Sequence, residues 1–229
     1  MCGRFTLTDP ARLDTAALGI ALLPSLGPRF NIAPTQDVLL VHLDRDGRRR
    51  ATLARWGLIP SWAKDASIGN RMANARGETL AEKPSFRSAW RRRRGLVFAD
   101  GFYEWQALPD RRVKQPWWIT RADHAPFAFG ALWEVWQPPE PDAEPICSCT
   151  LVTTAPNALM APIHDRMPVI VAPDDWARWL GDGLTDAPPP ADLVAPCDPA
   201  GWTVRAVSTW VNTPAHDDAQ CIAPAASLP

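Results

Sequence analysis

Gly95-Leu96-Val97-Phe98-Ala99-Asp100-Gly101-Phe102-Tyr103-Glu104-Trp105 opens as a short, continuous apolar strand and breaks at a turn-prone Asp-Gly pair. An apolar run of this length closed by a turn signal reads as a buried strand. Working outward, 37–43 alternates apolar and polar residues, and Asp46-Gly47 turns the chain into a second run over 51–58. That pair is a hairpin signal. Further strands are expected at 117–120, 126–133, 146–154 and 168–171. A first helix is expected over 9–20, capped by Thr8 or Asp9 with Pro10 in its first turn. A second runs over 173–180 and ends at Gly181. Short strands at steady spacing with few helices predict an α+β, predominantly β fold. The expected unit is a single compact domain over 1–222, with a barrel-like mixed sheet, a few short helices and a disordered tail over 223–229.

The totals bound what such a domain does. With 229 residues, 46% apolar content and 12 Trp, the chain can fill a packed core. Its 25 Pro against 13 Gly favour strand edges and rigid turns over long helices. A net charge of −1 excludes broad, charge-driven nucleic-acid binding, so any such site is a local cluster. The five cysteines are Cys2, Cys147, Cys149, Cys197 and Cys221, and no signal peptide or membrane run accompanies them. This reads as free thiols in a reducing, cytoplasmic compartment. The four His lack metal-ligand spacing, and Cys147-Ser148-Cys149 is a poor start for a zinc site, so neither a metal nor another cofactor is expected.

Several residues stand out chemically. Removal of Met1 would leave Cys2 with a free α-amine and a thiol on one skeleton. Those two nucleophiles together suit an aldehyde: the amine forms a Schiff base and the thiol closes a five-membered ring. Asn74 and Arg76 lie two apart, so an extended segment presents both to one side, as an anion clamp would. Glu104 between Tyr103 and Trp105 is expected to have a raised pKa, as a general acid or base needs. His164, in Pro162-Ile163-His164-Asp165-Arg166-Met167-Pro168, is a proton-shuttle candidate. Each has a plainer alternative: a frayed-terminus cysteine, an asparagine bonded to its own loop, an edge-strand glutamate in water and a satisfied loop histidine. Asn31-Ile32-Ala33-Pro34-Thr35-Gln36 reads as a rigid turn with two exposed amides. Trp56-Gly57-Leu58-Ile59-Pro60-Ser61-Trp62 offers two indoles, of which Trp56 is expected in the core. Arg91-Arg92-Arg93-Arg94 reads as a solvated face that also offers peripheral phosphate contacts.

Taken in order, Met1–Arg4, 31–36, 56–62, 74–79, 99–105 and 163–169 resemble the SOS-response-associated peptidase (SRAP) family of abasic-site processing proteins. The resemblance runs from Met1 to about Val211. It implies binding of single-stranded DNA with an abasic site, and a thiazolidine crosslink between mature Cys2 and the opened sugar aldehyde. It also implies self-removal of Met1, the peptidase activity, with lyase-like chemistry on the abasic DNA. By the same resemblance Cys2 is the nucleophile, Asn74 orients it, and Glu104 and His164 are catalytic. Arg4, Arg76 and Arg166 hold phosphates, and Pro34 and Trp62 form a wedge. The implied protein is a monomer that acts in the DNA damage response, is cytoplasmic and nucleoid-associated on DNA, and has no membrane partner. Ala63 follows Trp62, so only part of the family's indole pair is present. Two other classes stay open: a general cysteine hydrolase using Cys2, Glu104 and His164, and a non-catalytic module whose Trp/Pro surface binds peptides.

Overall fold

A computed structural model describes residues 2–109, 112–183 and 188–225. In chain order the strands and helices are β1 (Arg4–Leu7), α1 (Thr15–Leu18), β2 (Arg29–Ile32), β3 (Asp37–Leu43), β4 (Arg49–Trp56), β5 (Asn74–Arg76), α2 (Arg87–Arg92) and β6 (Arg94–Ala99). Then come β7 (Gly101–Gln106), β8 (Gln115–Arg121), β9 (Phe127–Trp136), β10 (Ile146–Thr154), β11 (Met167–Pro168), β12 (Ile170–Val171), α3 (Trp176–Leu180) and β13 (Trp202–Ala206).

The strands β4, β3, β6, β9 and β10 close into a barrel, because β10 pairs with both β9 and β4. The β10–β4 pairing is parallel and the other four are antiparallel, so the barrel is mixed. A second, antiparallel sheet runs in the order β13-β8-β7-β1-β2. The Asp100-Gly101 turn moves the chain from the barrel into this second sheet. A Cβ at Gly101 would sit 2.2 Å from the Trp118 indole nitrogen, so the corner requires glycine. The buried Asp100 carboxylate accepts from the Thr6 and Thr8 hydroxyls and the Thr8 and Asp9 amides, which ties β1 to the corner. Between the layers Phe5 meets Trp56 and Phe129 at ring-centroid distances of 5.1 and 5.5 Å. Burying a phenylalanine stabilises by about 1.5–3 kcal/mol.

The predominantly β barrel agrees with the sequence expectation, and several local expectations are corrected. The helix expected over 9–20 is a 3-10 turn at Pro10–Arg12 followed by the single turn of α1. Asp14 interrupts it by accepting the Ala16 and Ala17 amides as an N-cap, and Gly19 ends it at φ +65°. The strand expected at 168–171 is split: Met167 and Pro168 pair with β10, whereas Ile170 and Val171 pair with β9. Arg94 is buried, not part of a solvated face, because its guanidinium donates to the carbonyls of Trp179, Trp90 and Arg91 at the ends of α3 and α2. Arg93 donates to Glu134, which leaves Arg91 and Arg92 exposed. Pro224 bridges Val207 and the Ala225 amide donates to Ala206; residues 226–229 of the expected disordered tail over 223–229 lie outside the described residues.

Candidate active site

The segment before β1 meets β5 through the Asn74 amide on the Cys2 carbonyl, and β7 meets the loop after β10 through Gln106 on the Pro162 carbonyl, which makes a seam between the second sheet and the barrel. Four distant segments deliver side chains to that seam. Cys2 precedes β1, Asn74 opens β5, Glu104 is on β7, and His164 is in the turn-rich loop after β10. Strand pairing fixes the first three. Arg4 is opposite Tyr103 in the β1–β7 ladder, and Asn74 is beside Leu151 in the β5–β10 ladder. Gln106 on β7 donates to the Pro162 carbonyl and so ties the His164 loop to the same strand that carries Glu104.

Cys2 is 0% exposed, and its thiol points to the Arg4 carbonyl at 3.8 Å. The Asn74 amide donates to the Cys2 carbonyl at 2.8 Å. The Asn74 Oδ1 is buried with no partner among the described residues, an acceptor left for a substrate or water. Burial pushes the Cys2 thiol well above its usual value, and the nearby Glu104 carboxylate adds to this. Glu104 is itself 1% exposed, and burial pushes its carboxyl up to about 7, with Asp165 acting in the same direction. The raised carboxyl matches the sequence expectation, but its cause does not. Strand alternation puts Tyr103 and Trp105 on the other face, packed in a small cluster with Val207 and Val211.

The His164 Nε2 lies 4.0 Å from Glu104 Oε2. Its Nδ1 is 3.0 Å from the Arg166 amide and 2.9 Å from Asp165 Oδ1. A backbone N–H can only donate, so in the neutral ring Nδ1 accepts and the proton is on Nε2, facing Glu104. Asp165 is 87% exposed and becomes the partner of Nδ1 only once the ring is protonated. Burial pulls the His164 imidazole below its usual value, and the Lys114 ammonium adds to that.

The expected phosphate ligands divide. The Arg4 guanidinium is occupied internally, donating to Asn31 Oδ1 and the Val211 carbonyl at 2.8 Å each and to Asn212. Asn31, expected as an exposed amide, is therefore 0% exposed, with its amide on three carbonyls. Arg166 makes a bidentate pair with Glu78 and also donates to Thr153. Arg76 is exposed. The Pro34 turn is held by Gln36, whose half-buried amide oxygen accepts from Arg29 and the Ala33 amide. Trp62 is 58% exposed, whereas Trp56 is wholly buried and donates to the Ala73 carbonyl. Pro34 lies just before β3 begins and Trp62 in the turn after β4 finishes. Asn31 reads from sequence as an exposed amide rather than a buried one, and Lys114 and Asn212 fall outside every motif read there.

The sequence profile of the SOS response associated peptidase (SRAP) matches residues 1–214. The chain belongs to this family. It is 42% identical over 225 residues to the abasic site processing protein YoqW of Bacillus subtilis (strain 168), covering 97% of this chain and 99% of that one. It is 30% identical to the abasic site processing protein YedK of Escherichia coli (strain K12), covering 98% and 100%. A crystal structure of a protein from Bordetella bronchiseptica superposes with a TM-score of 0.75 at 25% identity, covering 90% of this chain and all of that one. Among the described residues no helix is long and apolar enough to cross a membrane.

Proposed function

We propose that this protein processes abasic sites in single-stranded DNA by covalent capture through Cys2 after Met1 is removed. The observation that carries the reading is the convergence of Cys2, Asn74, Glu104 and His164 at one seam. Relatives named as abasic site processing proteins support the same substrate. The Cys2 α-amine adds to the opened sugar aldehyde, and loss of water gives an imine. The sulfur then adds to the imine carbon and its proton passes to the nitrogen, closing a thiazolidine. Atoms balance as amine, thiol and aldehyde to thiazolidine and water. Glu104, half-ionised near neutrality, takes a proton from the amine, and that proton returns through His164, which picks it up from Glu104 and passes it to the departing oxygen as water leaves. Met1 lies outside the described residues, and its removal is the self-processing step that makes the amine available.

The buried thiol separates this reading from a general cysteine hydrolase. An amide hydrolase needs a thiolate, and therefore a lowered thiol pKa. Burial moves Cys2 the other way. A protonated thiol is no obstacle when the amine attacks first. Exposed Trp62 and the near-neutral net charge favour unpaired strands over intact duplex. The decisive experiment is an intact mass and a denaturing gel after incubation with an abasic oligonucleotide. The expected result is a chain beginning at Cys2 and a denaturant-resistant adduct. Crosslinking by a chain that still carries Met1 would overturn the mechanism.

A further inference from the structure

Between the β3–β4 turn and the ends of α2 and α3 lies a cavity of about 540 Å³, lined by Arg45, Arg91, Arg92 and Arg94. None of Cys2, Asn74, Glu104 and His164 borders it. β3 runs from Asp37 to Leu43, so this turn stands about 20 Å along the strand from the Pro34 end. Arg94 is the anchor. It is 6% exposed and makes no ion pair among the described residues. Its Nε donates to the Trp179 carbonyl, and its Nη1 donates to those of Trp90 and Arg91 at 3.0 and 2.8 Å. Those bonds match the carbonyls at two helix ends. Nη2 has no partner among the described residues and is left for the cavity. A buried cation calls for a counter-charge, and burial pulls this guanidinium down with no carboxylate offsetting it. The other three arginines are exposed and add charge of the same sign. Two carboxylates also line the cavity. Asp44 is taken up by the Arg50 guanidinium and the Asp46 and Arg48 amides, which leaves Asp46 against four guanidiniums.

We propose that this cavity is a phosphate-binding site separate from the seam, with Arg94 Nη2 at its back and Arg45, Arg91 and Arg92 around the outer oxygens. Four guanidiniums against one unpaired carboxylate suit a multiply charged anion. Guanidinium forks also match phosphate oxygens two at a time. The phosphate arrives either as a small free anion or ester, or as part of a nucleic-acid backbone; the chemistry at the site is the same. The assignment does not depend on the abasic-site reading.

Arg94 itself holds two helix ends, so the test uses its exposed neighbours: wild type, Arg91→Gln and Arg92→Gln. Arg48→Gln, exposed in the same turn but not lining the cavity, and Arg76→Gln, at the seam, are the charge controls. In one arm inorganic phosphate is titrated calorimetrically at constant ionic strength. Wild type should bind it, Arg91→Gln and Arg92→Gln should each weaken binding roughly tenfold, the share of one charged hydrogen bond, and both controls should match wild type. In the other arm the affinity of an undamaged single-stranded oligonucleotide is followed against salt. If the source is a nucleic-acid backbone, Arg91→Gln and Arg92→Gln should each lower the slope of log affinity against log salt by about 0.7, and Arg48→Gln should not. A loss in the first arm with unchanged slopes identifies a small phosphate as the ligand; lowered slopes identify a backbone. Phosphate binding that is absent, or that Arg91→Gln and Arg92→Gln leave intact, together with slopes equal to that of Arg48→Gln, overturns the site.

Discussion

The floor of the site and its rim are built by different means. Cys2, Asn74 and Glu104 on the floor are buried or half-buried, come from distant segments and are positioned by strand pairing. Trp62, Thr35 and Arg76, which the proposed reading assigns to the rim, are exposed and lie in local turns or at strand ends. The difference separates chemistry from grip. Burial raises the pKa of the floor's carboxyl and thiol, while the rim stays solvated and contributes contact area and charge. If that division is right, floor substitutions act on the rate of adduct formation and rim substitutions on affinity.

The largest effect should come from Cys2→Ala, which removes the thiol and with it the stable adduct. The informative partner is Cys149→Ala. Cys149 is equally buried, and burial likewise raises its thiol, but it lies in the barrel wall opposite Trp133. It should crosslink at the wild-type rate in a gel-shift time course. Loss of the adduct in both variants would mean that burial alone, not the seam, accounts for Cys2.

Next come Glu104→Gln and His164→Ala, each expected to slow adduct formation by roughly 10²–10⁴-fold. Acting as a base, Glu104 should make the wild-type rate rise with pH through about 7, and Glu104→Gln should remove that inflection. Stability should move the opposite way. The carboxyl rises from 4.5 to about 7 on folding, so the folded state holds its proton more tightly. That contribution is complete below the unfolded value and is lost as pH rises through the folded one, a change of about 3 kcal/mol. Glu104→Gln should therefore melt higher than wild type above pH 7 and not in acid. Equal melting curves at pH 8 would show that the buried carboxylate carries no strain.

How far the sequence went follows the same division. The 37–43 and 51–58 hairpin and the runs at 95–99, 117–120, 126–133 and 146–154 were legible because each strand pairs over several residues and carries an apolar pattern. β1, β2, β5 and β13 were not read as strands. They have only three to five residues each, and their partners are fixed by topology rather than by neighbouring sequence. For the same reason Glu104 was legible as a residue but not in its surroundings. Nor could sequence show that Arg166 is paired with Glu78, 88 positions away, or Arg4 with Asn31.

On the rim, Trp62→Ala should weaken binding to single-stranded DNA by about 1–3 kcal/mol, the value of one stacked base, and leave the maximal rate of adduct formation alone. Arg76→Ala should have a smaller effect, lowering the salt slope by about 0.7 for one phosphate. A fall in maximal rate for either, measured at saturating DNA, would break the separation of floor from rim.

The smallest expected effect concerns stability and sharpens what holds the rim in shape. Thr35 follows Pro34 in the turn closed by the Gln36 amide on the Ala33 carbonyl, and it adopts φ +78°. That angle suits glycine at the third position of such a turn and strains a β-branched residue. The surroundings enforce it: the Thr35 amide donates to the Trp56 carbonyl at 2.7 Å, and the Thr35 carbonyl accepts from Arg55 at 3.2 Å. Strain of this kind is worth about 1–3 kcal/mol, and glycine gives back about 0.4–1 kcal/mol through a freer unfolded chain. Thr35→Gly should therefore raise stability by about 1 kcal/mol in denaturant titration. If the exposed threonine side chain also meets DNA, the same variant should lose affinity while gaining stability, the pattern of strain kept for function. A variant that loses both would show instead that the turn depends on the threonine side chain.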